Sequence, residues 1–243
     1  ADVYADYYAG MDKSMQQKVA LTTAYFPVRG TLADMGCGSG SGSFDLACLH
    51  DGLQVIGVDI APESVAYAQA HYRRDNLQFR QGDIAQPLFP DDSLDGVLNS
   101  SVFHHLTSFN GFALTQVRQA LSAQTRMLRP GGVLIIRDFV IPRGPAEVLL
   151  DLPSRDGPHG AAAAPTQTTA TLSSAALFEQ FAAAWRSSQN LDGPVPYQKL
   201  GSIRPGWCRY RVAHRAAAEF VLRKDYRADW EAELREEYTY FSQ

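Results

Sequence analysis

Short apolar runs alternate with stretches of helical length through the first part of the chain. The apolar runs, several of them rich in valine and isoleucine, lie at 31–35, 54–58, 77–80, 94–98 and 133–139. The stretches of helical length between them lie at 44–50, 62–73 and 111–128. Alternation of this kind predicts a parallel β-sheet with helices on both faces.

The first apolar run ends in an acid and continues into a loop with almost no side chains. In TLADMGCGSGSGSFDL, Asp34 precedes the four glycines Gly36, Gly38, Gly40 and Gly42. Glycine adopts positive φ and lets a ligand lie against the backbone, and the helix that starts here adds unpaired N–H groups and a partial positive charge. The stretch predicts a site for a ligand that carries a carboxylate, a ribose or a phosphate.

The pattern changes in the second half of the chain. Residues 143–171 contain four prolines and a run of alanines with weak periodicity, which indicates a surface loop or a mobile lid. Residues 172–185 predict a helix. Apolar runs at 195–200 and 207–213 flank a Pro-Gly turn and predict a terminal antiparallel hairpin. Apolar residues four apart across 214–238 predict a long helix.

These patterns divide the chain into a helical N-terminal cap, residues 1–30, and one domain, residues 31–243. Aromatic residues in the cap follow helical spacing, so the cap packs on the domain or forms a flap over the glycine loop. The domain contains the loop or lid at 143–171 and ends in the helix and tail at 214–243. A chain of 243 residues with 45% hydrophobic residues can bury the core of one large α/β domain.

Composition narrows the classes of function. The formal net charge of −4 gives no general basic field for nucleic acid. Cys37, Cys48 and Cys208 are odd in number and widely spaced, which favours reduced thiols over disulfides or a zinc site. No apolar segment reaches the ~18 residues of a membrane span. We expect a cytoplasmic protein without a structural metal and leave its oligomeric state open.

Two further acids follow other predicted strands. Asp59 ends the second run, nineteen residues after Gly40, where a carboxylate can accept hydrogen bonds from a ribose diol. Asp83 follows the third run, where it can accept a hydrogen bond from an adenine amine. NAD is the alternative ligand, but Ser41 stands where the GxGxxG fingerprint has its third glycine. Asp34 also suits an ammonium group and would repel a pyrophosphate.

The region from about Thr31 to Val140 resembles the class I S-adenosylmethionine-dependent methyltransferases. The matching segments are ADMGCGSG, the acid Asp59, GDI, LDGVLNSSVFHHL and LRPGGVLIIRD, in the order and spacing of that family. The resemblance implies a Rossmann-like α/β fold with a seven-stranded, mostly parallel sheet whose last strand is antiparallel. It implies S-adenosyl-L-methionine as the cofactor.

The resemblance also implies roles for individual residues. The amino-acid end of the cofactor is expected at Asp34, Gly36 and Gly38, the ribose at Asp59, the adenine at Asp83 and Ile84, and the methionine side chain at Asn99, with Gly40 and Ile60 as further cofactor-binding residues.

Methyl transfer requires the nucleophile to be held in line with the sulfonium, and a protonated acceptor also requires a base. His104 and His105 after the fourth strand and Asp138 after the fifth are the candidates. Packing or hydrogen bonding for the histidines, and an ion pair with a neighbour such as Arg137 for Asp138, are the structural alternatives. A third candidate set is an aromatic and acidic wall for a cationic or planar substrate, against ordinary helix packing: Tyr226, Trp230, Glu236, Glu237, Tyr238 and Tyr240.

The main hypothesis is an enzyme that methylates an oxygen, nitrogen or carbon nucleophile of a small molecule. A tRNA methyltransferase of the same fold is the first alternative. It is suggested by an Arg-Asp pair after the fifth strand, shared with some RNA-methylating relatives, and by Arg204, Arg209, Arg211 and Arg215, but the acidic net charge disfavours it. A non-catalytic, cofactor-binding regulatory protein is the second alternative. The motifs leave the methyl acceptor open.

Overall fold

The computed structural model describes residue 19 and residues 22–156, 169–185 and 194–242. The chain divides into two compact units, unit 1 at Ala1–Asp138 and unit 2 at Phe139–Gln243. Each unit has its own β-sheet. The predicted N-terminal cap falls largely outside the described residues, which include only residue 19 and residues 22–30 of it.

Unit 1 is built on five parallel strands in the order β3-β2-β1-β4-β5. The strands are β1 Gly30–Met35, β2 Leu53–Asp59, β3 Leu77–Gln81, β4 Leu94–Ser100 and β5 Leu128–Arg137. Every neighbouring pair is parallel. All five apolar runs therefore form strands, and the predicted α/β class with a mostly parallel sheet is confirmed. The predicted number of strands is wrong, because this sheet has five strands and not seven.

Four helices lie between the strands of unit 1. They are α1 Ser41–Leu49, α2 Pro62–His71, α3 Phe103–Ser108 and α4 Thr115–Met127. Pro62 occupies the first turn of α2, where its missing N–H has no helical partner to lose. The six-residue α3 was not predicted, because so short a helix leaves little periodicity in the sequence. Side chains of β1, β2 and α1 fill the core, with Leu32, Leu46 and Val55 almost fully buried.

Unit 2 contains a three-stranded antiparallel sheet in the order β6-β8-β7. Its strands are β6 Glu147–Pro153, β7 Tyr197–Arg204 and β8 Trp207–Ala213, and its helices are α5 Ser174–Ala184, α6 His214–Arg223 and α7 Trp230–Glu233. The predicted hairpin is present as β7 and β8, but it pairs with β6 and forms a separate sheet. Strand β6 lies within the stretch that composition indicates as a loop or lid, because EVLLDLP alternates apolar residues between the prolines.

The C-terminal segment is not one long helix. Helix α6 ends at Arg223, and a 3₁₀ turn at Arg227–Asp229 and the short α7 follow. The buried carboxylate of Glu219 accepts hydrogen bonds from the backbone N–H groups of Tyr238 and Thr239 at 3.1 and 2.6 Å. A continuous helix would carry residue 238 about 28 Å away from residue 219. The buried acid therefore requires the chain to turn back.

Among the described residues, no helix is both long enough and apolar enough to cross a membrane.

Candidate functional site

A cavity of about 490 Å³ lies at the carboxyl ends of the strands of unit 1. Its wall includes Asp34 of β1, Asp59 of β2, Asp83 after β3 and Ser100 of β4. The order of the strands reverses between β1 and β4, and open parallel sheets bind ligands in the crevice at such a switch point. The volume lies in the range of sites for small-molecule ligands and cofactors.

The glycine loop between β1 and α1 forms the floor of this cavity. Gly36 and Gly38 have φ angles of +79° and +53°, which favour glycine. A Cβ atom on Gly36 would lie only 2.4 Å from Cγ2 of Val102. The N–H groups of Gly36 and Cys37 both donate to the carbonyl oxygen of Val58, at 2.7 and 2.9 Å. These bonds fasten the loop to β2.

Gly40 has a different task in the same loop. Its φ angle is +86°, and a Cβ atom there would lie 2.6 Å from the Cβ of Ala68 and 2.9 Å from the ring of Phe79. Gly40 therefore lets the start of α1 approach α2 and β3 closely. The lining of the cavity does not include it.

Asp59 connects the glycine loop to the start of α2. One carboxylate oxygen accepts the N–H of Gly38 at 2.8 Å, and the other accepts the N–H of Ala61 at 3.0 Å. A carboxylate has about four lone-pair positions, so Asp59 can still accept bonds from two hydroxyl groups of a ligand. The neighbouring Ile60 is 66% exposed and also lines the cavity.

Asp83 and Ile84 lie beside the cavity at the end of β3. Asp83 accepts the N–H of Ala85 at 2.9 Å, which fixes the carboxylate at the start of the turn that follows the strand. Ile84 is buried and supplies an apolar surface next to that acid. An acceptor beside an apolar surface is suited to a planar ring with an exocyclic amine.

Asp34 is a buried acid with a perturbed proton affinity. Its carboxylate accepts the hydroxyl proton of Ser43 at 2.6 Å. Burial raises the pKa of Asp34 from 3.8 to about 6; the Ser43 bond opposes this increase and the negative charge of Asp59 adds to it. Burial also raises the pKa of the nearby Cys37 thiol, which is therefore unreactive. A cation at this point of the cavity would lower the cost of ionising Asp34.

The two histidines of α3 occupy different environments. His104 is buried, and both oxygens of Asp138 accept from it, one from its backbone N–H at 3.1 Å and one at ring Nδ1 at 2.8 Å. His105 lines the cavity. Its ring lies 4.2 Å from that of His104 and stacks on Phe109 at 5.7 Å. Of the three predicted catalytic residues, only His105 belongs to the cavity wall.

Asn99 does not belong to the cavity wall either. Its amide is buried and exchanges two hydrogen bonds with the amide of Gln124 on α4, at 2.7 and 3.1 Å. The structure therefore brings eight predicted site residues together around the cavity, and the other four, Gly40, Asn99, His104 and Asp138, lie outside its lining. The eight are Asp34, Gly36, Gly38, Asp59, Ile60, Asp83, Ile84 and His105.

Sequence reasoning missed a polar pair at the end of β4. Ser100 and Ser101 line the cavity, and the guanidinium of Arg137 donates to both hydroxyl oxygens. Two polar residues directly after a buried strand were the available signal, because the carboxyl end of β4 borders the switch point. Beyond the serines, the wall contains the apolar side chains of Val102, Leu106 and Phe109, together with the polar residues His105, Asn110 and Gln116.

The predicted aromatic and acidic wall lies in unit 2, where most of it is core. Trp230, Glu236, Glu237 and Tyr238 are buried. The hydroxyl of Tyr238 donates to Glu233 at 2.6 Å, and burial raises the pKa of Tyr238 far above its usual range.

Unit 1 is a Rossmann-like domain with a cavity at the carboxyl ends of its strands. Residues 33–136 match the family model of the methyltransferase domain. This match supports the class I S-adenosylmethionine-dependent methyltransferase domain that the motifs predict, and S-adenosyl-L-methionine is the cofactor of that class.

Curated relatives share this domain. The chain is 32% identical over 118 residues to a fatty-acid O-methyltransferase of Mycolicibacterium smegmatis. The aligned residues cover 48% of this chain and 40% of that protein. It is 31% identical over 124 residues to the 27-O-demethylrifamycin SV methyltransferase of Amycolatopsis mediterranei, covering 49% and 42%. The chain thus spans less than half the length of these relatives.

A solved structure with a similar fold is a putative methyltransferase of Haloferax volcanii in complex with the Trm112 methyltransferase activator. It has 27% identity to this chain and a TM-score of 0.49, and the alignment covers 57% of this chain and 59% of that one.

Proposed function

We propose that this chain is an enzyme that transfers a methyl group from S-adenosyl-L-methionine to an oxygen, nitrogen or carbon atom of a small molecule. One observation carries the proposal. Asp83, Asp59 and Asp34 stand at the ends of three neighbouring strands and line one cavity with the glycine loop. Neighbouring strands lie about 4.8 Å apart, so the three acids form a row of about 10 Å.

This row matches the order of polar groups along the cofactor. Asp83 would accept the adenine amine, Asp59 the ribose hydroxyls and Asp34 the ammonium group of the methionine end. The raised pKa of Asp34 supports its pairing with the ammonium group, because a bound cation would stabilise the ionised carboxylate that burial disfavours. Gly36 and Gly38 would leave room for the cofactor against the backbone.

The reaction needs positioning more than covalent help from the protein. When bound, S-adenosyl-L-methionine would supply a methyl group with a sulfonium leaving group, to which an electron pair of the acceptor would bond as the carbon–sulfur bond breaks. His105 is the proposed base for an acceptor that arrives protonated, since its ring lines the cavity. Asp138 holds His104, and the His104 ring lies 4.2 Å from that of His105 in a tilted contact, so we propose these two as positioning residues.

The arginines that suggested a tRNA substrate are partly or fully exposed, but they have side-chain partners within the protein. Arg209 forms a bidentate ion pair with Asp151, with both N···O distances at 2.7 Å. Arg215 pairs with Glu237. The guanidinium of Arg204 lies 4.0 Å from the ring of Trp207. These contacts, with the acidic net charge, favour a small-molecule acceptor. The names of the two curated relatives, a fatty-acid and a rifamycin O-methyltransferase, point the same way. A cytoplasmic location stays a prediction.

Isothermal titration with S-adenosylmethionine and S-adenosylhomocysteine tests the cofactor site. We expect micromolar binding, and a loss of about 10- to 100-fold in Asp59→Asn, because a charged acceptor for hydroxyl groups is removed. Asp95→Asn is the matched control. Asp95 also accepts a backbone N–H, that of Thr31, and lies at the opposite end of the strands; its replacement should leave the affinity within about twofold.

Absence of measurable heat at ~1 mM ligand with the folded wild-type protein would overturn the proposal. Incubation with methyl-labelled cofactor and a panel of small-molecule acceptors then tests turnover. Tight cofactor binding without transfer to any acceptor class would instead favour a regulatory protein that binds the cofactor. Thermal unfolding of both variants shows whether a change in affinity reflects the site or the fold.

A further inference from the structure

The guanidinium of Arg137 contacts two serines of the cavity wall, while Arg137 itself is not part of the lining. The last residue of β5, Arg137 pairs with Ser100 in the register of the sheet. Its Nε and Nη2 atoms lie 3.1 and 2.9 Å from Oγ of Ser100, and Nη2 lies 2.9 Å from Oγ of Ser101. Arginine remains protonated in such a setting, so a positive charge lies directly beyond the two hydroxyls.

The two hydroxyls are left as donors toward the cavity. A serine oxygen that accepts from a guanidinium keeps its own proton to donate. In the described part of the chain, neither Ser100 nor Ser101 donates that proton to a protein acceptor, and both line the cavity. Two adjacent O–H donors in front of a guanidinium match the two oxygens of a planar carboxylate.

Ser101 also has a strained backbone. Its φ angle of +56° is uncommon for a residue other than glycine. Its N–H donates to the carbonyl oxygen of Arg137 at 2.7 Å, which holds the strained residue beside that arginine. Strain of this kind is retained where the surrounding structure fixes a functional group in one orientation.

The position of the pair separates it from the proposed cofactor contacts. Along the carboxyl edge, the order is Asp83 after β3, Asp59 on β2, Asp34 on β1, and then Ser100 and Arg137 on β4 and β5. The adenine and ribose lie toward β3 in the proposed binding mode. The serine pair therefore lies on the far side of the methionine end, where the methyl acceptor must approach.

We propose that Ser100 and Ser101, backed by Arg137, bind a carboxylate of the methyl acceptor, and that the acceptor is an apolar carboxylic acid. The inference rests on the proposed methyltransferase function and names the substrate class of the same cavity. Val102, Leu106 and Phe109 supply the apolar surface that would cover the rest of such an acid. The carboxylate of the cofactor's methionine end has the same chemistry and is the competing source.

Binding to the complex with S-adenosylhomocysteine tests this with matched ligand pairs: octanoate against octanamide, and 3-phenylpropanoate against 3-phenylpropanamide. We expect at least one acid to bind about 10-fold or more tightly than its amide. Arg137→Met should abolish that preference, and Arg137→Lys should restore part of it because the charge returns. Arg129→Met is the control, since Arg129 pairs with Asp95 at 2.9 Å, away from the cavity.

The affinity for S-adenosylhomocysteine itself distinguishes the two sources of the carboxylate. The proposal expects Arg137→Met to bind it within about twofold of the wild type. If that variant loses affinity for S-adenosylhomocysteine but not for its decarboxylated analogue, the serine pair holds the cofactor and the proposal is wrong. The proposal is equally wrong if neither acid binds better than its amide. Failure of the wild type to bind S-adenosylhomocysteine would instead reject the proposed function.

Discussion

The two units treat their buried acids in opposite ways. In unit 1, Asp34 is buried at the end of β1 and bonds to the Ser43 hydroxyl, and no cationic side chain of the described residues pairs with it. In unit 2, Glu219 is fully buried beside an equally buried Arg223, with Nη2 of Arg223 2.5 Å from Oε2 of Glu219. One acid lines a cavity, and the other joins α6 to the C-terminal tail.

The difference separates a site from a structural core. Arg223 supplies the cation for Glu219, and the rings of Phe181, Trp185 and Tyr238 surround its guanidinium at 4.8 to 5.5 Å. Asp34 has no such partner, and burial raises its pKa. A protein can keep an acid in that state where a ligand brings the missing charge. A buried acid with a cationic side-chain partner belongs to the structural core, whereas a buried acid without one can pair with a cationic ligand.

The largest expected effect breaks the structural core of unit 2. Glu219→Ala leaves Arg223 as an uncompensated buried charge and removes the acceptor for the N–H groups of Tyr238 and Thr239. We expect the free energy of unfolding to fall by about 3–5 kcal/mol, measured by urea denaturation. The exposed Glu231→Ala should change it by less than about 0.5 kcal/mol. A loss below about 1 kcal/mol in Glu219→Ala would show that the pair contributes little.

A smaller effect concerns the unpaired acid of unit 1. The folded-state pKa of Asp34 is about 6 against 3.8, so the folded protein holds a proton that the unfolded chain releases between these values. The stability of the ligand-free protein should therefore fall as the pH rises from about 4 to above 6, by roughly 3 kcal/mol from this group. Asp34→Asn should remove that decrease, as measured by thermal unfolding across the pH range.

Cofactor binding should show the reverse dependence on pH at the same residue. An ionised Asp34 pairs with the ammonium of the cofactor, so wild-type affinity should rise as the pH passes 6. Asp34→Asn should bind more weakly and without that rise, in titrations from pH 5 to 7.5. An unchanged pH profile in the variant would mean that Asp34 does not contact the cation.

The smallest effect compares two glycines of unit 1. Gly36→Ala combines a φ angle of +79° with a Cβ atom 2.4 Å from the branched side chain of Val102. We expect a loss of about 2 kcal/mol in stability and at least about 10-fold in cofactor affinity. Gly111 has a φ angle of +63° with nothing within 4 Å, so Gly111→Ala should cost about 1 kcal/mol and leave cofactor affinity unchanged. Equal losses of affinity would show that the glycine loop has no special role.

The sequence alone determined the strands of unit 1 and the acids around its cavity. The apolar runs at 31–35 and 54–58 became β1 and β2, with their ends shifted by at most one residue. Such patterns are local, because burial of a strand between helices requires a short apolar run and a ligand at its end requires a polar residue. Asp34, Asp59 and Asp83 could therefore be placed from spacing, and the hairpin of unit 2 from its turn.

Only the tertiary structure decided how distant polar residues pair. The amides of Asn99 and Gln124 satisfy each other inside unit 1, so Asn99 does not line the cavity. Asp138 bonds His104 from 34 residues away. Whether a polar side chain meets a ligand or a neighbour depends on which segments the fold brings within 3 Å. The periodic pattern of the local sequence carries no information about such pairing.

The same reason explains the errors in unit 2 and the residues missed in unit 1. The hairpin pairs with β6 because 147–153 presents Val148, Leu150 and Leu152 to the core of unit 2. The C-terminal helix breaks because Glu219 requires a partner in the tail. Ser100 and Ser101 have a positive charge beside them because β5 places Arg137 next to the end of β4. The sequence supplies each of these residues, and the packing of separate segments determines which partner each one contacts.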